Sequence, residues 1–553
     1  MIEKSRAYGP DGSSKMPSFN DSMTVQEGEE FMKRRDFILS MLSTGLAGPL
    51  RSTKDSRADT TAGRGLSDMP TVGGTGQAQP VTTRAGQHLR TLPKLVNQSQ
   101  TPGVFEARLT AVPARLHVRA GQQTEFWAYN GMIPGPLIEA TAGDQVRILF
   151  ENKIPRQEST IHWHGMPVPA AQDGNPMSPV PSGSRRVYEF VLPADSAGSY
   201  WYHPHPHRLS AEQVYRGLAG AFIVNPKSDP LPRDIHDIMA FITDLRLSAT
   251  GAIPADNMVD LMNGREGAHL LVNGQQNPVL TVAPGSTCRF RLYNATNARY
   301  LRLAFEDHEM TLIGTDGGYV QAPVLGLREV LLSPAERADV IVTFRGRSGR
   351  TVALQTLPYE RGWMGGGKPP SQTLSLLTVT LAGVPVRAVV LPTKLRKIEQ
   401  LGTPGVIKRL EFGERMAMGD GMSTSGGGMD HTNMGHGNDG GMAMQFLING
   451  KAFEMGRVDL TTKAGQVELW EVVNPTDMDH PFHLHGTQFQ VTERERNGSK
   501  TKAPYLAWKD TVNVAKAETV RFKVRQDMKG QRMYHCHILE HEDQGMMGVL
   551  DVI

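Results

Sequence analysis

The chain has 553 residues, a hydrophobic content of 39% and a formal net charge of +3. That length exceeds what a single hydrophobic core supports and predicts several domains. Lys, Arg, Asp and Glu are interspersed and gather into no basic stripe, which excludes nucleic acid as a partner.

Residues 1–31 are polar and rich in Gly, Ser and Glu, with no apolar periodicity, and read as a disordered extension. From Met32 the sequence MKRRDFILSMLSTGLAGPL sets Lys33, Arg34 and Arg35 before an apolar run from Phe37 to Leu50. The run is too short to cross a membrane and has the build of an export-signal core. Its Arg-Arg-Asp-Phe-Ile-Leu stretch resembles a twin-arginine signal, so residues 32–50 predict delivery of a folded protein to a bacterial periplasm, with no integral membrane segment after processing. Residues 51–103, polar and rich in Thr, Arg, Gly and Gln, read as a linker.

Beyond that point the chain repeats a plan three times: YNGMIPGPLIEATAGDQVRILFENKI, VNGQQNPVLTVAPGSTCRFRLYNAT and INGKAFEMGRVDLTTKAGQVELWEVVNPT. Each passage runs from an Asn-Gly turn signal through an alternating stretch to a second Gly, then along a strand that ends in Asn. The second Gly and the Asn are 143 and 152, 285 and 294, and 465 and 474, the same spacing each time. Short alternating runs between Gly/Pro turns predict an all-β chain of three Greek-key sandwich or barrel domains, at 104–226, 227–385 and 400–553, with a linker at 386–399. The middle domain has only isolated histidines, His236, His269 and His308, which read as structural, so this domain is expected to act as spacer and scaffold. Cys288, in the strand-like run CRFRLYN, is expected to be buried and inert.

The outer domains carry the chemistry. The first holds His162 and His164 in IHWHG and His203 and His205 in WYHPHPH; the third holds His483 and His485 in HPFHLHG and His535 and His537 around Cys536 in HCHILEHEDQGM. On a strand, residues two apart share a face, so each His-x-His pair offers two imidazoles to one site while Cys536 faces the other way. Four pairs give eight imidazoles, two for one metal and three for each of two others. Cys536, His541 and Met546 supply the soft donors of a blue-copper centre, and His480 is left to complete it. Residues 416–444 break the β-pattern with Met416, Met418, Met422, Met429, Met434, Met442 and Met444 among glycines and polar residues. Thioethers select Cu(I).

These four motifs, in this order, resemble those of the multicopper oxidases, the family of laccases, bilirubin oxidases and bacterial cuprous oxidases. The likeness runs from about Val104 to Ile553 and implies cupredoxin domains holding four coppers. It assigns Cys536, His480, His541 and Met546 to a type 1 copper, the axial Met546 on the family spacing after the cysteine. It assigns His162 and His483 to a type 2 copper, and His164, His203, His205, His485, His535 and His537 to a type 3 pair. His207 has no ligand role in it. The family reading implies a monomer that passes electrons from a reductant through Cys536 to its flanking histidines and on to dioxygen, with Asp173 and Glu542 resembling an acidic proton relay. Bacterial cuprous oxidases carry a Met-rich insertion similarly placed, which makes Cu(I) the expected reductant, with Asp477 and Met478 as a candidate docking pair. Small phenols, as in laccases, are the alternative. A non-enzymatic cell-division protein of the same fold is disfavoured by the full ligand set.

Overall fold

The computed structural model describes residues 81–119, 122–417 and 443–553. The signal-like segment 32–50 and the insertion residues Met418, Met422, Met429, Met434 and Met442 lie outside them. The described chain is all-β, with six sheets, two for each of the three repeated regions. In each region the opening strand runs parallel to the strand that ends in the repeated Asn: Val104–Arg119 beside Gln145–Asn152, His236–Leu245 beside Thr287–Asn294, and Val406–Ala417 beside Val467–Asn474. An antiparallel strand follows on the far side, Arg185–Val191, Arg337–Thr343 and Glu518–Arg525 respectively. Alternation in Gln145–Asn152 sends Val146, Ile148 and Phe150 into an interior shared with Trp163 and Tyr188. Burying each such side chain contributes about 1.5–3 kcal/mol.

The repeat extends to single hydrogen bonds. Asn130-Gly131, Asn273-Gly274 and Asn449-Gly450 all have positive φ at both residues, the backbone of a type I′ turn, which Asn tolerates and Gly adopts freely. At the far end of the plan, buried Asn152, Asn294 and Asn474 each donate through Nδ2 to two backbone carbonyls. Each accepts the N–H two residues on through Oδ1. The second Gly of each passage, Gly143, Gly285 and Gly465, also has positive φ, and it stands nine residues before the lock because both ends of one strand are pinned.

Two stretches read as linkers behave otherwise. Within 51–103, the described residues 81–103 form a packed strap: Thr82 and His88 bridge to Gln275 and Val279 of the middle region, and Lys94 bridges to Leu137 of the first. Val81 and Leu92 are buried, and Arg90 N–H donates to Gln275 Oε1. Within 386–399, Leu395 and Ile398 are buried and the Leu395 N–H donates to the Gln321 carbonyl. Both segments take their burial from domains that come later or earlier in the chain, which composition does not register. Among the described residues no helix is long and apolar enough to cross a membrane.

Candidate metal centre

The strand His162–His164 pairs antiparallel with Gly198–His203, setting His162 opposite His203. The strand His480–Leu484 pairs with Gly530–Cys536, setting His483 opposite His535 and Phe482 opposite Cys536. Trp163, between the first two histidines, points into the apolar interior while its neighbours face the other way. The His-x-His pairs of both regions thus meet across the junction of the first and third domains. All eight imidazoles are at most 1% exposed.

Three groups form there: His162 with His483, then His164 with His203 and His537, then His205 with His485 and His535. Nε2 of His162 and Nε2 of His483 are 3.4 Å apart, Nδ1 of His164 and Nε2 of His203 are 3.4 Å apart, and Nε2 of His535 lies 3.2 Å from that of His205 and 3.0 Å from that of His485. The far nitrogens are anchored. Nδ1 of His162, His203, His483 and His535 donates to the carbonyls of Asp173, Pro204, Asp510 and Cys536 at 2.8–2.9 Å. A neutral imidazole has one proton, so the converging nitrogens present bare lone pairs to one another. Burial and neighbouring imidazoles hold His203, His483 and His485 well below the ordinary histidine pKa, so protonation does not relieve this. A cation between them does, and imidazoles with oriented outer nitrogens suit copper.

The second group lies on the other side of Cys536. Its Sγ is 3.5 Å from His480 Nδ1 and 4.0 Å from His541 Nδ1, and the two nitrogens are 3.3 Å apart. Met546, fully buried, exchanges backbone bonds with Cys536 and His541. Burial raises the thiol pKa far above its usual range, so Cys536 becomes a thiolate only with a cation beside it. His480 Nε2 donates to Thr476 Oγ1 at 2.9 Å, which leaves Nδ1 bare. Thr476 belongs to the Asn474 lock of the repeat; Thr296 makes the same bond to Asn294 in the middle domain. The donors fit copper: one thiolate and two imidazoles at one point, eight imidazoles at the other.

The middle domain does more than space the outer two. Arg337 donates through both terminal nitrogens to Asp510 at 2.7 Å, and through Nε to the Ser199 carbonyl of the first domain. Asp510 Oδ1 in turn accepts from His164 Nε2 at 3.0 Å. Gly165 has φ +81°, and a Cβ there would stand 2.0 Å from Asp510 Oδ2, which accounts for Gly in IHWHG. Over the sulfur site lies the short helix Met258–Asn263, started by a reciprocal Asn257/Asp260 capping box. Its Met262 carbonyl accepts from His541 Nε2 at 3.2 Å, and its Asn263 makes two bonds to the Met364 backbone. Arg361, donating to the Asn263 carbonyl, takes the Asp479 N–H on its own carbonyl. From the third domain Phe446 stacks on His541 at 3.8 Å.

Asp173 and Glu542 stand against the histidine cluster. Asp173 Oδ2 is 3.1 Å from His485 Nδ1; Glu542 lies 3.2 Å from His535 Nδ1 and 3.5 Å from His205 Nδ1. Burial, then Asp543, drives the Glu542 pKa well up. Asp477 and Met478 do not make a joint surface site: Asp477 is exposed and paired with Lys516 at 3.2 Å, whereas Met478 is fully buried beneath Gly362. Met416 and Met444 face each other on the hairpin that carries the insertion, the first exposed and the second buried. His207 is half-buried against Phe453. His236 is exposed, while His308 is buried and its Nε2 accepts the Arg345 N–H. Cys288 is buried, its thiol pushed up to about 12. Sequence reading missed Asp510, Arg337, Thr476 and Met262, none of which sits in a spaced pattern.

Residues 112–229, 242–352 and 425–553 each match the multicopper oxidase family. The chain belongs to that family; its domains are cupredoxin-like, and as an oxidase it binds copper and uses dioxygen with a reductant. It is 40% identical to a multicopper oxidase from Campylobacter jejuni described as a metallo-oxidase, with a TM-score of 0.75 over 86% of this chain and 97% of that one. It is 31% identical to the multicopper oxidase mco of Staphylococcus haemolyticus over 78% of this chain and 86% of that protein. A laccase of Bacillus subtilis is 28% identical over 83% of this chain and 96% of that protein.

Proposed function

We propose that the protein is a periplasmic cuprous oxidase, exported through residues 32–50. In this reading four resident coppers are held by Cys536, His480, His541 and Met546; by His162 and His483; by His164, His203 and His537; and by His205, His485 and His535. Bound there, copper supplies one-electron oxidation of the reductant and reduction of dioxygen to water. Cys536 is joined through its own peptide bonds to His535 and His537, one in each imidazole trio, so two short covalent paths link the sulfur site to the cluster. Glu542, its carboxyl pushed well above the usual range by burial, and Asp173 stand at the rim of the same cluster as candidates to pass protons to it.

The observation that carries the choice of reductant is the cover over the sulfur site. His480 and His541 are fully buried, and both outward nitrogens are engaged, by Thr476 and by the Met262 carbonyl. A bulky phenol needs an open imidazole edge; a small ion does not. The insertion enters this account as a Cu(I) collector: its return strand, Ala443–Ile448, carries Phe446 onto His541. The complete donor set weighs against a non-enzymatic role.

The test is steady-state kinetics on copper-loaded enzyme recovered from the periplasm, with Cu(I) and a dimethoxylated phenol as reductants. We expect kcat/KM for Cu(I) to exceed that for the phenol by at least about tenfold, a barrier difference of about 1.4 kcal/mol. Faster phenol oxidation with free Cu(I) chelated overturns the reading in favour of a laccase, and recovery in the cytoplasm alone overturns the export.

A further inference from the structure

A cleft of about 910 Å³ opens between the first and third domains. The 386–399 segment forms one of its walls through Arg396 and Glu399. Its apolar lining includes Phe190, Tyr200 and Trp508. Most of its charges are satisfied locally: Arg525 binds both Glu399 and Asp527, and Glu189 accepts from Gln145. Arg396 is different. Among the described residues its guanidinium makes no hydrogen bond or ion pair, its Nε is buried with no partner, and Tyr200 and then Asp195 attract it without bonding to it. Burial pulls its pKa below the arginine norm, against the attraction of Tyr200 and Asp195.

We propose that this cleft is a binding site for a small aromatic carboxylate, with the carboxylate on Arg396 and the ring against Trp508, Tyr200 and Phe190. A guanidinium fork matches a carboxylate in two parallel hydrogen bonds, and aromatic walls take a ring in stacked or edge contact. An uncharged ring leaves Arg396 unpaired, and an aliphatic acid leaves the walls unfilled. Burial raises the Tyr200 phenol to about 12, so it stays neutral in the wall of the cleft at neutral pH. The floor adjoins the histidine cluster: Gln488 Nε2 lies 3.4 Å from Tyr200 Oη and donates to the Gly165 carbonyl, next to His164. An occupant therefore sits beside the histidine cluster.

The probe is benzoate, which the enzyme does not oxidise, titrated calorimetrically into copper-loaded protein, with benzamide and acetate as comparisons. Saturable benzoate binding is expected, with benzamide and acetate each at least about tenfold weaker. Arg396→Gln removes the charge without breaking a bond, and Arg396→Lys keeps the charge but not the fork. Gln is expected to weaken benzoate by about tenfold or more and Lys by less, with blue absorption and reductant KM unchanged. Benzoate that binds Arg396→Gln as tightly as wild type, or that perturbs the type 2 copper resonance equally in both, overturns the site in favour of direct copper ligation. Equal binding of benzamide overturns the carboxylate assignment, and no saturation at tens of millimolar overturns the site altogether.

Discussion

Arg337 and Asp510 are each at most 1% exposed and bind one another through two hydrogen bonds. Arg337→Met leaves a carboxylate buried without its cation, which costs on the order of 3–5 kcal/mol. We expect a large fall in melting temperature and partial loss of cluster copper. Adding Asp510→Leu is expected to recover much of the stability but not the copper, because His164 Nε2 then loses its carboxylate acceptor and keeps only Thr511 Oγ1, at 3.1 Å. Melting curves with copper analysis on the single and double variants check this, and full copper content in the double variant refutes it. At this scale the histidines and Cys536 that the structure brings together were legible as candidate donors, because a two-residue spacing is local and repeated four times. The sequence did not show Asp510 or Arg337: the His164 and Asp510 partners are 346 residues apart and the Arg337 and Asp510 partners 173 apart, with no pattern around any of them.

Ala417 pairs with Ala443 at the open end of the hairpin that carries the insertion, so the stem is complete without it. Replacing 418–442 by Asn-Gly closes the strands with a two-residue type I′ loop. Copper content and blue colour are expected to stay at wild-type levels while KM for Cu(I) rises about tenfold or more. Unchanged Cu(I) kinetics at full copper loading rule out the collector role. The triplicated strands were legible from turn chemistry and spacing, since the Asn-Gly turns and the Asn locks are both local. The strap was not, because Val81, Leu92 and Leu95 are too irregularly spaced to signal strand or helix and are buried only by domains that the sequence does not bring near. The short helix Met258–Asn263 was missed for its brevity, though Asn257 and Asp260 spell its capping box.

Taken whole, the copper-free protein buries histidines that resist protonation: burial lowers His480 and His535 from 6.5 to about 3. The unfolded chain takes up protons on these rings as pH falls below 6.5, and the folded chain does not until near 3. Their contribution to stability is therefore intact above 6.5 and is lost as pH falls through that window, at about 2 kcal/mol per ring by pH 5. Thermal melts of apoprotein should show a steep fall from pH 7 to pH 5, reduced by copper. A flat profile refutes the argument.

The two donors His162 and His483 are 321 residues apart, and the Asp510 that orients His164 is gripped from the middle domain. During synthesis the first domain leaves the ribosome with four of the eight imidazoles, one of the pair, two of one trio and one of the other, and without the Asp510 that orients His164. A lone His-x-His pair is a poor trap for metal, so a nascent chain passes through most of its translation without a closed site. Cellular zinc has no finished cavity to enter until all three domains have docked.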